Sequence, residues 1–553
     1  MKGENMKTMK KCMVLFMAIM MVYGLAACTG GDQRKEQSTE LPSQTETSGK
    51  TNETEADAVS ESAEGISDFS KRLTISYACT GKEFDPEDAY HKYFSDKFNI
   101  DMEFIPQSWG EANQQITTWM NAGDLPTFIT WGFSTSELSN AIEQELLKKW
   151  PDDWKEKYPN LAKAYALSSA NTYYEEKFGG TYVYCVPVFA NNYPAEEITD
   201  HLQLYIRRDF AKAANFDLSP YEESKVMTMS QLGELLKAEK ESGVIEYPLN
   251  ANQAHLYVQM VADYTYTQNL LYQKKDGTFA WSPAEEETGL RNALRTVNDW
   301  YHKGYIYPDF YSTGSAGSAT DDMFSADKTA VTIYTGTIPI VQQLADKMAN
   351  DLKKDFQEET LVVMLTDDNG VSHQEPQANY WRGNCISPEA TDEEVDRVLA
   401  LMDYLTTEEG QRISLMGIQG EDWDYDENGN LISLLPEHTS PADKYGSVAP
   451  YSALAICNDD FGFINPNNQK WAVDLVTEMY LLRDKVTDIR EKPYNYFLAS
   501  YTSDALTQAS ITPDDEYVRL IIQDGDFDEN YDAWLSEKMR LFQPVLDDLN
   551  SGK

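Results

Sequence analysis

Between Leu73 and Trp131 three short runs of strand-forming residues, contained in LTISYACTG, DMEFIPQSW and TFITW, alternate with two polar segments of helical length. The strands are predicted over Leu73 to Cys79, Asp101 to Pro106 and Thr127 to Trp131. Helices are predicted over Asp85 to Phe98 and Gly110 to Met120, and Gly123-Asp124-Leu125-Pro126 breaks the second of them. Strand, helix, strand at this spacing demands a crossover connection, so the folded part of the chain starts as an α/β domain with a partly parallel sheet.

From Leu73 onward, ~480 residues carry recurring apolar clusters, too many for one typical core, and two domains are the natural division. After a helical stretch from Leu138 to Leu147, Thr181 to Phe189 reads as extended and aromatic. His201 to Ile206 is a strand running into a helix from Arg207 to Ala214, and here the chain is expected to cross into its second domain. Ser230 to Glu241, Leu256 to Tyr264 and Thr288 to Lys303 return apolar residues at three and four positions, which predicts helices. Asp327 to Gly336 resumes strand character, Ile338 to Met348 is helical and Leu361 to Asp367 is a strand; this stretch reads as a return to the first domain. Thr391 to Ser414 is an amphipathic helix with Val395, Val398, Leu399, Met402 and Leu405 on one face, started by a capping box of Thr391 and Glu394. Ala472 to Val486 and parts of Ile511 to Val545 complete a helix-rich C-terminal region.

The expected division is a first α/β lobe of residues 71–190 and 327–385, and a second, helix-rich lobe of residues 191–326 and 386–553. A chain that crosses more than once makes a cleft walled by loops from both lobes, where pockets prefer to form.

Ahead of the folded part, Lys2, Lys7, Lys10 and Lys11 precede an apolar run from Cys12 to Ala26 that ends in Leu25-Ala26-Ala27-Cys28. A basic start, an apolar middle and small residues at the end make a secretion signal, and the run is shorter than the ~20 residues needed to cross a bilayer. A cysteine directly after Leu-Ala-Ala suits a bacterial lipobox, in which Cys28 is diacylated and becomes the first mature residue. Residues 1–27 are therefore read as a lipoprotein signal peptide. Acyl chains hold a domain at a surface by removing hydrocarbon from water at ~0.8 kcal/mol per methylene, which places the protein on the extracellular face of the cell membrane. Thr29 to about Asp68 is Ser-, Thr-, Glu- and Gln-rich with almost nothing apolar, too little to offset the entropy of ordering, so residues 28–70 read as an acidic tether.

The formal charge is −45, and loss of the leader with its four lysines and Glu4 leaves about −48. Such a surface solubilises the chain and repels nucleic acid and anionic lipid, which excludes a polymer-binding role that needs a basic stripe. Cys79, Cys185, Cys385 and Cys457 are widely separated, without CxxC or Cys/His ligand spacing. They read as small buried apolar residues, with one or two disulfides as the alternative that an exported location permits, and none reads as a catalytic thiol.

Four segments, AGDLPTFITWG (Ala122 to Gly132), YVYCVPVFANNYPAEEITDHLQLYIRRDF (Tyr182 to Phe210), SADKTAVTIYTG (Ser325 to Gly336) and ISPEATDEEVDRVLALMDYLTTEEGQRISLMGIQGEDWDYDENGN (Ile386 to Asn430), occur behind the lipobox in that order. In order and spacing the chain resembles the extracellular solute-binding proteins, family 1, of ABC importers, in particular the large oligosaccharide-binding lipoproteins of Gram-positive bacteria of the LplA and YtcQ type. The resemblance runs from Leu73 to about Asp424. It implies a two-lobe periplasmic-binding-protein fold with a hinged sugar cleft, no catalysis, no cofactor, a monomeric chain, and hand-over of the ligand to ABC transporter permease subunits. Relatives usually begin the segment around Tyr182 with a Gly-Lys-Ile-Tyr-Gly type of sequence, whereas this chain has Gly180-Thr181-Tyr182-Val183-Tyr184-Cys185, a departure that leaves the ligand open.

A pyranose offers an apolar C–H face and a hydroxylated edge, so it is bound by an aromatic ring under the face and amides, carboxylates or guanidinium groups around the edge. Trp109, Trp131, Trp381 and Trp423 stand at predicted element ends, where binding loops emerge, whereas Trp119, Trp150, Trp154 and Trp300 fall in helical patterns and read as core. Arg208 and Asp209 follow a strand and could fork onto hydroxyls or pair locally. Asn191 and Asn192 follow the aromatic run, Thr335 with Gly336 closes a strand, and Asp422 precedes Trp423 in the GEDWDYD loop; these complete the candidate ligand contacts.

Asp424, Asp426 and Asn428 begin like a calcium loop, but Leu435 stands where a bidentate Glu belongs, so a polar turn is the better reading and a weak calcium site the alternative. No GxSxG, HExxH or GxxxxGK[ST] occurs. A secreted glycoside hydrolase is the enzymatic alternative, needing two facing carboxylates that 91 acidic residues cannot single out, and a binding protein for peptides or other solutes is the remaining one.

Overall fold

The computed structural model describes residues 69–81, 83–108, 112–132, 134–166, 169–178, 185–188, 202–250, 254–265, 267–312, 318–374, 382–437, 439–454, 462–487 and 494–551. In chain order the strands are β1 (Leu73–Thr80), β2 (Ile100–Gln107), β3 (Phe128–Trp131), β4 (Cys185–Val188), β5 (Leu202–Arg207), β6 (Val226–Thr228), β7 (Leu271–Gln273), β8 (Phe279–Trp281), β9 (Val331–Thr335), β10 (Thr360–Thr366), β11 (Arg382–Ile386), β12 (Trp423–Tyr425) and β13 (Leu431–Ser433).

The first crossover has clear start and stop signals. Asp88 accepts hydrogen bonds from the Tyr90 and His91 backbone and so starts the helix Ala89–Phe98, which Asn99 ends in a left-handed conformation. The chain then returns as β2, parallel to β1 from Leu73 opposite Ile100 onward, and β3 joins the other side of β1 in parallel. The first sheet has the order β2-β1-β3-β11-β4, with β11 antiparallel to both of its neighbours.

Alternation along β1 divides the core, as a period of two requires. Leu73, Ile75, Tyr77 and Cys79 pack on one face with the helices Ala89–Phe98 and Asp392–Leu405, while Ala78 packs on the other with the helices Ala112–Ala122 and Thr135–Glu143. The second sheet, β6-β10-β5-β9, pairs β5 antiparallel to both β9 and β10. Its core takes in Trp281, Trp300, Val476, Trp534 and Phe542. This is a mixed α/β, two-lobe architecture. Among the described residues no helix is long and apolar enough to cross a membrane.

Two boundaries differ from those expected from the sequence. β9 and β10 do not rejoin the first sheet: Leu202 pairs with Thr335 and Leu204 with Val363, so residues 331–366 stay with the second lobe. The return to the first sheet comes at Arg382–Ile386, wedged between β3 and β4. A strand's local pattern records that one face is buried but not which partner buries it, so strand–helix–strand after Asp327 fits either sheet. The segment that follows also belongs to the first lobe, because Val395, Val398, Leu399 and Met402 pack against the β1 face and Tyr451 and Leu454 close the same core.

The predicted helix Thr391 to Ser414 is two helices, Asp392–Leu405 and Glu408–Met416. The Thr391–Glu394 capping box forms as read, and Thr407 caps the second helix by accepting from the Gly410 backbone. The helices Lys470–Val486, Asp504–Ala509, Pro513–Ile522 and Phe527–Ser551 pack on the second lobe's core, while Tyr494 and Tyr496 pack against the first. Trp150, Trp154 and Trp300 are buried in the cores and Trp119 is packed against one, as their helical spacing indicated. Cys79 and Cys385 are buried, and Cys385 faces Cys185 in register across β11 and β4. Burial pushes the Cys79 thiol up to about 11, which keeps it protonated and unreactive at neutral pH. Cys457 lies outside the described residues, as do the signal segment read over residues 1–27 and all of the tether read over 28–70 except Phe69 and Ser70, of which Phe69 packs against the first lobe's core.

Candidate functional site

In a parallel sheet the loops that leave the C-terminal ends of the strands form the ligand crevice. Here β1, β2 and β3 end at Thr80, Gln107 and Trp131, and antiparallel β11 starts at Arg382, directly beside them. Trp131 is nearly buried, opposite Gly383 on β11, and its indole N–H donates to Asn113 Oδ1 on the helix after β2. Gln107 is buried as well. Its amide nitrogen donates to Gln115 Oε1 at 3.3 Å, while its own Oε1 has no hydrogen-bond partner. The Arg382 guanidinium reaches Thr80 Oγ1 at 3.5 Å.

The second lobe presents its own edge, where β5 begins at Leu202 and β9 ends at Thr335. Tyr205 donates through its hydroxyl to Thr335 O at 3.3 Å, and Gln374 Nε2 donates to Leu202 O at 3.4 Å. Gly336 lies under the Gln203 side chain, whose Nε2 donates to Gly336 O at 3.4 Å. A Cβ at position 336 would stand 2.0 Å from Gln203 Cδ, so only glycine admits this approach. Gly336→Ala is therefore expected to cost about 1–3 kcal/mol of stability by forcing buried Gln203 aside, read as a lowered urea midpoint at unchanged slope.

These two edges are the ones the chain connects. It leaves the first sheet after Val188 and enters the second at Leu202; it leaves the second after Thr366, stays against it as far as Gln374 and re-enters the first at Arg382. Residues 375–381 can span no more than roughly 28 Å, so the edges carrying Trp131 and Thr335 stand on the sides of the lobes that are joined.

A cavity of about 710 Å³ lies between the lobes. The second lobe lines it with Ile338, Gln342 and Tyr480, and the first with Leu415, Ser440 and Ser452. Asn465 and Asn467 tie the lobes there, donating to Leu415 O at 2.8 Å and Met416 O at 2.9 Å. The volume falls within the ~300–1,000 Å³ of ordinary ligand pockets.

Residues 89–420 match the family described as bacterial extracellular solute-binding protein. The chain belongs to that family. Among curated proteins none matches this solute-binding protein in sequence. Solved structures share its fold at low identity. The S. pneumoniae ABC-transporter substrate binding protein FusA, an EF-hand mutant in complex with fructo-nystose, aligns with a TM-score of 0.61 and 15% identity over 87% of this chain and 100% of its own. The alginate-binding protein AlgQ2 without calcium ion aligns at 0.60 and 17% over 86% and 97%. An HMO-binding, ABC-transporter-associated solute binding protein from Bifidobacterium longum infantis aligns at 0.57 and 14% over 86% and 97%. All three are described as binding proteins.

Of the ligand contacts expected from sequence, Trp131, Thr335 and Gly336 stand on the joined edges of this solute-binding protein. Trp109, Asn191, Asn192 and Trp381, with Cys28, the expected lipidation site, lie outside the described residues.

Arg208 and Asp209 are placed elsewhere, at the opposite end of β5. Arg208 pairs with Glu222. Asp209 receives a two-pronged contact from fully buried Arg207, at 3.1 and 2.7 Å, and a further hydrogen bond from Lys354 at 2.8 Å. Burial would raise the Asp209 carboxyl, but the hydrogen bonds from Lys354 and Arg207 outweigh it and hold the group below the usual carboxylate range. The local ion-pair alternative is the one the structure realises.

Asp422 and Trp423 are also committed to the fold. Asp422 Oδ2 accepts from Ile418 N at 2.7 Å and Oδ1 from Lys444 Nζ at 2.6 Å, and the Trp423 indole donates to Gly417 O at 3.0 Å. Trp423 lines a separate depression of about 490 Å³ with Tyr93, Glu409 and Tyr425. Asp424, Asp426 and Asn428 form the turn between β12 and β13. Asp426 Oδ1 accepts from the backbone of Asn428 and Asn430 at 2.8 Å, and Gly429 takes the positive φ of 81°. Among the described residues no group of three His, Cys, Asp or Glu side chains could hold a metal ion.

Gln107, Gln203 and Gln342 went unnoticed in the sequence. An amide becomes informative only when burial shows that it was kept without a full set of partners. For Gln107 its place as the last residue of a strand, two before Trp109, was the available signal.

Proposed function

We propose that the protein captures an oligosaccharide in the gap between its two lobes and passes it unaltered to ABC transporter permease subunits, while diacylated Cys28 holds it on the outer face of the cell membrane as a monomer. The observation that carries this reading is the interlobe cavity of about 710 Å³, lined from both lobes by amide and hydroxyl side chains with Phe463 and Tyr480 beside them. It is supported by family membership and by the fold shared with proteins described with fructo-nystose and as HMO-binding. The lipobox Leu25-Ala26-Ala27-Cys28 supports the anchor.

Thermal unfolding against a glycan library tests the proposal. A ligand bound only by the native state stabilises it by RT ln(1 + [L]/Kd), about 2.7 kcal/mol at a hundredfold excess over Kd. The expected outcome is a raised midpoint with a glycan recovered intact. Breakdown of the stabilising glycan would point to a hydrolase, and stabilisation by peptides alone would move the cargo to another class.

A further inference from the structure

Resting on that reading, we infer that the cargo carries no acidic groups: it is an uncharged, hydroxyl-rich glycan rather than a uronate, sulfated or sialylated one. The inference comes from which hydrogen-bonding and charged groups the two lobes hold toward each other.

A carboxylate or sulfate moved out of water needs paired cationic donors, because an isolated buried charge is far costlier than a buried hydroxyl. Among the described residues lining the interlobe cavity, Lys347 is the one Lys or Arg, and it is paired with Asp322. The lining is otherwise rich in amides and hydroxyls, with Gln342, Gln343, Asn350 and Asn468 beside Thr337 and Ser452. Asp443, also in the lining, accepts from the Ser440 backbone at 2.8 Å and the Ser440 hydroxyl at 2.7 Å, so it caps a turn and is not held out to an ammonium.

Among the described residues at the first lobe's edge, the Arg382 guanidinium is directed at Thr80. Gln107 Oε1 near it, and Gln203 Oε1 on the second lobe, are buried amide oxygens without a hydrogen-bond partner. An amide oxygen accepts and cannot donate.

The wider field has the same sign. The protein as a whole carries a net charge of −45. An acidic glycan would approach this potential against repulsion.

The experiment is calorimetric titration of the purified full chain with matched pairs of oligosaccharides. The pairs are lacto-N-tetraose and its sialylated form, and neutral hexose tetramers and the corresponding tetrauronates, each at about 0.02 M and 0.5 M salt, across which screening changes strongly. The expected result is that a neutral member binds, that its acidic partner binds about 100-fold more weakly or not at all, and that the neutral affinity changes by less than about twofold with salt, since like-charge juxtaposition costs several kcal/mol. Preferential binding of a uronate or sialylated member, weakening as salt rises, would overturn the inference and leave oligosaccharide capture standing. Binding of a cationic amino-sugar oligomer in preference to all of them would overturn it equally. If no carbohydrate in a full library binds, oligosaccharide capture falls, and this inference with it.

Discussion

Replacing Arg207 by Met is expected to lower the unfolding free energy by about 3 kcal/mol. The guanidinium is fully buried, forks onto Asp209, reaches Asp327 at 2.6 Å and donates to Phe324 O at 3.2 Å. Removing one partner from a buried ion pair typically costs ~3–5 kcal/mol, because the remaining charge keeps its desolvation penalty. The lower end applies here, since the Asp209 and Asp327 side chains are 30% and 37% exposed and Lys354 stays to neutralise both. Lys354→Met, which removes the more exposed cation, is expected to cost no more than about 1 kcal/mol.

The cluster also sets a pH dependence. Asp209 has its folded pKa held down, so its contribution is fully present above the ordinary carboxylate pKa of ~3.9 and is lost as the pH falls through the lower folded value. Urea unfolding of wild type and variant near neutral pH and near pH 3 checks both points. A neutral-pH difference below about 1 kcal/mol, or one that grows on acidification, would contradict this account of the cluster.

Gly410→Ala is the second large effect, and its sign separates two arguments. Gly410 lies in the helix Glu408–Met416, where propensity alone predicts that alanine stabilises by roughly 1 kcal/mol. The packing predicts the reverse. A Cβ there would stand 2.1 Å from the Tyr404 carbonyl oxygen and 2.6 Å from Leu405 Cα, both backbone atoms that no side-chain rotation can move. The corner between Leu405 and Glu408 depends on that approach, and Gln411 Nε2 donates to Leu405 O at 2.6 Å across it. A net loss of about 2–3 kcal/mol is expected, measured as a lower urea midpoint. A gain in stability would show that the two helices do not meet this way.

Local features were legible from the residues alone. The Thr391–Glu394 capping box, the parallel β1–β2 pair and the helical burial of Trp150, Trp154 and Trp300 all follow from short-range periodicity and cap chemistry. Long-range pairing was not. β9 and β10 look like any buried strand, and only their partners at Leu202 and Leu204 place them in the second sheet. The same limit governs the site. Trp131 stands at a strand's end as read, nearly buried in the first lobe's core with its indole N–H on Asn113. Arg208 and Asp209 also stand at a strand's end, but at the end of β5 away from Leu202, and sequence does not show which end of a strand meets the other lobe. Gln203 matters because Gly336 lies beneath it, a contact between residues far apart in the chain.

Hydrogen exchange of the purified protein with and without the stabilising oligosaccharide tests the central claim, that the gap between the lobes is the ligand site. The prediction is simultaneous ligand-induced protection in both lobes, in peptides spanning Glu408–Met416 and Ser440–Leu454 of the first and Thr335–Lys347 of the second. Protection confined to one lobe, or centred on the β12–β13 hairpin and the depression beside Trp423, would contradict it.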